Sequence, residues 1–272
     1  MSLHIGSMKW NAGYRRAVAL CAVVLGCGLT PIDAGAAPGK LVVVGGGKIG
    51  DEIRDTFIEL AGGKGAKLLI VPQASGRPDA GERNAAPFIE KGMTNVSVLS
   101  LEDSDAANAA VANASAIWFG GGAQNRLMER LEAAGVVDLI RKRHQSGVVM
   151  GGSSAGAAVM SEVMIAGDTP PIDQGLALWP EAIVDQHFVE RKRFNRSLRT
   201  VLSHPGKLGV GIGESTAVVV DPAKRRARVI GAGAVTVIDA REAKDLGAGE
   251  GEENSWKGVR LQWLRAGADF EY

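Results

Sequence analysis

The stretch Gly147-Val148-Val149-Met150-Gly151-Gly152-Ser153-Ser154-Ala155-Gly156-Ala157 reads as a short buried strand that runs into a tight turn and then a helix. Glycines on both sides of Ser154 remove the Cβ atoms that would clash where strand and helix crowd together. The hydroxyl of Ser154 then projects from the turn. A helix expected over 155–163 aims its unpaired N–H groups and its positive dipole end at the same place, which suits an oxyanion formed during acyl transfer. The pattern is that of a nucleophile elbow in a serine hydrolase, and a Gly/Ser turn of this kind also serves as a plain strand-to-helix link.

Upstream, Leu41-Val42-Val43-Val44 is a continuous apolar run ending in Gly45-Gly46-Gly47, the form of a parallel strand buried on both faces. Helices are expected over 51–60, 82–91, 106–112, 125–134 and 137–144, alternating with strands over 67–71, 96–99 and 116–119. This alternation predicts a doubly wound α/β sheet whose strand ends at 120–124 and 151–157 share the carboxyl edge, where such sheets bind ligands. Gly45, Gly47 and Gly50 spell G-x-G-x-x-G. The next strand, however, ends in Pro72-Gln73-Ala74-Ser75 without the acid that would hold a ribose, which argues against a nicotinamide or flavin site. Runs over 208–212, 217–220, 227–230 and 235–238 are expected to finish the sheet as short antiparallel strands, with an acidic loop over 247–254.

At 272 residues, 46% hydrophobic and 22% charged, the chain can bury a full core as one domain, placed at 37–272. A net charge of +1 gives no reason to expect nucleic acid or an anionic membrane surface as partner. Lys9, Arg15 and Arg16 precede an apolar run over 17–29, and Ala34-Gly35-Ala36 supplies small residues for cleavage, so 1–36 reads as an export signal. Met8 serves equally well as the start. The residues flanking Arg15-Arg16 match a twin-arginine signal poorly, which favours the general secretory route to periplasm or medium. Cys21 and Cys27 both fall in this leader, so the mature chain has no cysteine nucleophile, and lipid attachment at Cys27 is the alternative processing.

A serine nucleophile needs a base, and the base an acceptor that fixes its tautomer. Of four histidines, His4 lies in the leader, His144 follows Arg141-Lys142-Arg143 at an expected exposed helix end, and His204 sits in a Ser-His-Pro-Gly turn. His187, closing an apolar run behind Asp185 and Gln186, remains. Glu214, behind Gly209-Val210-Gly211-Ile212-Gly213, is the acid at another strand end. The order Ser, His, acid differs from that of the α/β-hydrolases. A basic cluster follows His187, with Arg191, Lys192, Arg193, Arg196 and Arg199, part of which reads as a solvated helix face.

These pieces together resemble the cyanophycinases of peptidase family S51, which also holds aspartyl dipeptidases. The matching residues are Val71 to Ser75, Phe119 to Gln124, Gly151 to Ala157 with Met160-Ser161, Asp185-Gln186-His187-Phe188 with Arg191, Arg193 and Arg196, and Gly211 to Glu214 with Thr216-Ala217. The resemblance implies a three-layer fold of the class I glutamine amidotransferase-like, flavodoxin-like kind. It implies Ser154 as nucleophile, His187 as base and Glu214 as orienting acid, with an oxyanion hole from Ala155 and from Gly121 or Gly122. It further implies Gln124, Asp185, Gln186, Arg191, Arg193 and Arg196 as substrate positions, a homodimer, and no metal or organic cofactor. Cyanophycin, a poly-aspartate with arginine on each β-carboxyl, would be cut to β-Asp-Arg dipeptides. An isoaspartyl dipeptidase and a non-catalytic binding protein of the same fold are the competing readings. Two positions depart from the family pattern: Ala123 stands where an acid commonly precedes the pocket glutamine, and Gly213 where an Asp precedes the triad acid.

Overall fold

The computed structural model describes residues 37–167, 172–248 and 254–272. The expected leader over 1–36 lies outside the described residues, as do residues 249–253 of the acidic loop. The first half alternates β1 (Leu41–Val44), α1 (Asp51–Leu60), β2 (Lys67–Val71), α2 (Ala80–Glu90), β3 (Asn95–Val98), α3 (Ser104–Asn113), β4 (Ala116–Phe119), α4 (Gln124–Ala133), α5 (Val137–Gln145) and β5 (Val149–Ser153). Strands β1, β5, β4, β2 and β3 lie side by side and parallel in that order. Both faces of β1, β2 and β4 are covered, which explains their apolar runs, while the edge strand β3 is largely exposed. Val42 and Val44 face a cluster with Phe57 and Phe88 from α1 and α2, while Leu41 and Val43 face Leu127, Leu131 and Ile140 from α4 and α5. Trp118 of β4 meets Phe57 and Phe88 edge-on, with centroids 4.9 and 5.1 Å apart. Such pairs add about 0.5–1.5 kcal/mol each beyond area burial.

After the elbow come α6 (Ala155–Ala158), β6 (Val163–Ile165), β7 (Ile172–Gln174), β8 (Ala182–Gln186), α7 (Phe194–Leu202), β9 (Leu208–Ile212), β10 (Thr216–Asp221), β11 (Arg226–Gly231), β12 (Ala234–Asp239), β13 (Lys244–Ala248), β14 (Asn254–Lys257), β15 (Arg260–Arg265) and β16 (Asp269–Glu271). Strands β10, β11 and β16 extend the main sheet from β1 in antiparallel fashion, giving eight strands in the order β16-β11-β10-β1-β5-β4-β2-β3.

The sequence expectation needs two corrections here. The strands at 208–212 and 235–238 do not finish the main sheet: β9 and β12 belong to a separate sheet ordered β15-β12-β9-β8. In it β8 and β9 are parallel and the remaining pairs antiparallel. One face, with Val184, Val210, Val235 and Val237, shares a core with β1, β10 and β11, and the other, with Ile183 and Ile238, packs on Val201 of α7. Second, the helix after Ser154 stops at Ala158 rather than continuing to 163. The next carbonyls, of Val159, Met160 and Ser161, accept the N–H groups of Leu176, Trp179 and Ala177, so returning chain replaces the helical ladder.

Candidate active site

At the elbow, Gly152 and Gly156 let two backbones touch: a Cβ on Gly152 would lie 2.5 Å from the Gly156 carbonyl oxygen, and one on Gly156 would lie 2.2 Å from that of Phe119. Ser154 at the apex has φ 56° and ψ −113°. A non-glycine residue held in so sparsely populated a region costs about 1–3 kcal/mol. The turn is kept by the Ser154 N–H bond to the Val44 carbonyl at 3.0 Å and by Ala157 and Ala158 N–H groups donating back to the Ser154 carbonyl.

His187 follows β8 and Glu214 follows β9, so the parallel pairing of those strands brings the imidazole and the carboxylate to one end of the second sheet. Ser154 Oγ lies 2.8 Å from His187 Nε2, and His187 Nδ1 lies 2.5 Å from Glu214 Oε1. A carboxylate only accepts, so Nδ1 carries the proton and the Nε2 lone pair faces the hydroxyl. The imidazole is buried, with 10% of its side chain exposed, whereas Glu214 is 38% exposed. The three residues that the sequence separates are therefore in one hydrogen-bonded line.

Of the expected oxyanion groups, Gly121 and Ala155 adjoin Ser154. Gly121 faces the elbow, with Ser154 Cβ 3.5 Å from where its own Cβ would be, and Gly122 sits beside it with φ +146°. Ala155 opens α6, where a first-turn N–H has no intrahelical acceptor.

The remaining expected substrate positions are placed differently from one another. Gln124 donates its side-chain amide to the Ile165 carbonyl at 2.8 Å, tying α4 to β6. Asp185, 1% exposed in its side chain, accepts from Arg196 Nε at 2.8 Å, from Arg196 Nη2, and from Ser197 Oγ at 2.5 Å. Arg193 donates to the Gln186 carbonyl at 2.6 Å and to Gln186 Oε1, and lies 3.5 Å from Asp185 Oδ1. Two of the three guanidinium groups expected to meet a substrate, those of Arg193 and Arg196, are thus bonded to β8, the strand that leads to His187, while Arg191 is exposed.

Sequence reasoning missed Ser197, which completes this buried cluster from the first turn of α7; its position four residues after Arg193 was the available signal. It also missed Glu190, whose Oε1 accepts the Glu214 N–H at 3.1 Å and lies 3.6 Å from where a side chain at Gly213 would begin. A carboxylate from the His187 loop therefore stands beside the position where the family pattern has Asp. His144 needs a correction: it is buried, its Nε2 is 2.8 Å from the Gly39 carbonyl, and its own carbonyl accepts the Gly39 N–H at 2.8 Å. It clamps the segment entering β1 instead of ending a helix in solvent.

Residues 41–227 match Peptidase family S51. A cyanophycinase of Trichormus variabilis is 35% identical over 252 residues, covering 85% of this chain and 84% of that protein. A cyanophycinase of Geminocystis herdmanii is 38% identical over 222 residues, covering 74% and 81% respectively. A peptidase from an acI-B1 actinobacterium shares the fold, with a TM-score of 0.66 at 21% identity over 88% of this chain and 98% of that one. The α/β architecture, the matched span and these relatives place the chain in peptidase family S51, the serine-type peptidases.

Proposed function

We propose that the protein hydrolyses the aspartate backbone of cyanophycin to β-Asp-Arg dipeptides through a Ser154-His187-Glu214 triad and an acyl-enzyme. The observation that carries this reading is the continuous line Oγ–Nε2 at 2.8 Å and Nδ1–Oε1 at 2.5 Å. His187 takes the hydroxyl proton as Ser154 attacks the scissile carbonyl and gives it to the leaving amine; it then activates the water that releases the acyl group. Glu214 holds the proton on Nδ1 and stabilises the imidazolium that forms. The N–H groups of Ala155 and of Gly121 or Gly122 receive the tetrahedral oxyanion. The cyanophycinase relatives support the polymer as substrate. The exposed carboxylate of Glu190 beside Glu214 gives the mouth negative charge, which suits guanidinium-bearing side chains.

Incubating the purified protein with cyanophycin and with a panel of β-aspartyl dipeptides tests this directly. β-Asp-Arg released from polymer supports the reading, and cleavage of dipeptides alone overturns it. Ser154→Ala should lower turnover by about a thousandfold or more. Retained activity would remove Ser154 from its role. The reading includes export through the leader, to periplasm or medium, and a homodimer in solution. Fractionation of expressing cells and light scattering of the purified protein check these two statements.

A further inference from the structure

The glycine triplet that resembles half of a dinucleotide fingerprint lies at the triad. It follows β1, which pairs with β5 on one side and β10 on the other, and its backbone, with that of Val44 before it, touches every loop that brings a triad residue. Three consecutive carbonyls each accept one N–H: Val44 from Ser154 at 3.0 Å, Gly45 from His187 at 2.7 Å, and Gly46 from Ser215, next to Glu214, at 2.9 Å. All three donors have left-handed backbone, with φ 56°, 48° and 55°. Residues strained in this way persist only where their surroundings over-determine them.

The missing side chains matter as much as the carbonyls. A Cβ on Gly46 would lie 2.3 Å from His187 Cε1 and 2.5 Å from its Nε2, and one on Gly47 would lie 2.7 Å from Glu214 Oε2. Ordinary sheet-end loops bond to neighbouring strands. They do not place two successive Cβ directions on the base and the acid of a proton relay. We propose that Gly45-Gly46-Gly47 is the template of the triad: the carbonyls of Gly45 and Gly46, with that of Val44 just before them, fix the three catalytic turns, and Gly46 and Gly47 are positioning residues whose absent side chains leave the space for the imidazole and the carboxylate. Ser154 rides on the main sheet and His187 and Glu214 on the second, so this loop is the backbone that sets one against the other. The inference rests on the triad reading given above and assigns it three further residues.

The test compares Gly46→Ala with Gly63→Ala. Gly63 also has positive φ, +89°, but its Cβ would meet nothing within 4 Å, so it isolates backbone strain from the collision with the ring. Two readouts need no substrate: the far-downfield NMR proton of the short His187 Nδ1–H bond to Glu214, and the rate at which a fluorophosphonate labels Ser154. Gly46→Ala should lose the downfield proton and label about a hundredfold more slowly or worse, the contribution of a positioned general base. Gly63→Ala should keep both. Wild-type values in Gly46→Ala overturn the template.

Should Gly46→Ala fail to fold, the double variant Gly46→Ala/His187→Gly removes the ring that the new methyl meets. It should then fold as stably as His187→Gly, less the loss seen in Gly63→Ala, and a double variant that stays unfolded overturns the inference. Failure of the functional reading looks different. A wild type that shows the downfield proton yet is neither labelled nor active removes the peptidase chemistry, and the proton alone then decides on the template.

Discussion

Arg196→Met separates two roles that one guanidinium could have. In the structure Arg196 holds both carboxylate oxygens of Asp185, which is 1% exposed in its side chain, and Ser197 Oγ adds a bond at 2.5 Å. Breaking a buried charge pair from one side costs about 3–5 kcal/mol, because the remaining charge stays desolvated. Arg193, 3.5 Å from Asp185 Oδ1, and Ser197 remain to compensate in part, so the lower end, about 3 kcal/mol, is expected. For a domain of this size that corresponds to a fall in Tm of roughly 6–12 °C. Urea unfolding followed by tryptophan fluorescence measures it. Turnover should fall as well, since Asp185 stands two residues before His187 on the same strand end. A guanidinium whose main work is gripping substrate gives the opposite pattern, a raised KM with stability within about 0.5 kcal/mol of wild type. That pattern, or a loss below about 1 kcal/mol, would refute the structural role.

Glu214→Gln should keep the fold and lower kcat by about ten-thousandfold, because an amide at this place no longer secures the proton on Nδ1; turnover near wild type would remove Glu214 from the triad. Arg241, through its guanidinium and its N–H, and Arg260 hold the Asp239 carboxyl down from 3.8 to about 2. Its folded value is depressed, so the stability it contributes is complete above about pH 4 and is lost as pH falls toward 2; Asp239→Asn should flatten the acid unfolding curve in that window. Burial holds His144 below its ordinary 6.5, partly offset by the Gly39 carbonyl. The neutral form is the folded form, so stability present above pH 6.5 is lost as pH falls below it, and His144→Gln should reduce that slope in unfolding titrations.

The parallel half of the fold was legible because strands buried on both faces must be unbroken apolar runs: Leu41–Val44, Lys67–Val71 and Ala116–Phe119 are found where the pattern puts them. The elbow was legible because only glycine fits two backbones in contact. Sheet membership was not. Leu208–Ile212 and Thr216–Asp221 are both short, mostly apolar runs, yet one enters the second sheet and the other the first, and nothing local distinguishes two covered surfaces. Strand β15 is a different case: Arg260-Leu261-Gln262-Trp263 alternates polar and apolar residues, but Leu261 and Trp263 are 54% and 71% exposed, so the alternation marks no core face. The arginine cluster was read outward because charged side chains are usually solvated, whereas Asp185 supplies a buried counter-charge from a distant strand. His144 was misplaced for the same reason: its partner Gly39 lies 105 positions away.

That hydroxyl and imidazole arrive from separate sheets has a kinetic corollary. The gap between them is a seam, and any partial opening along it silences the enzyme while each layer keeps its own ladder of bonds. Regions of a protein open with different free energies, so in rising denaturant catalytic power should fade ahead of the bulk circular dichroism signal. The protein would then report its own loosening through its chemistry before its secondary structure registers any change.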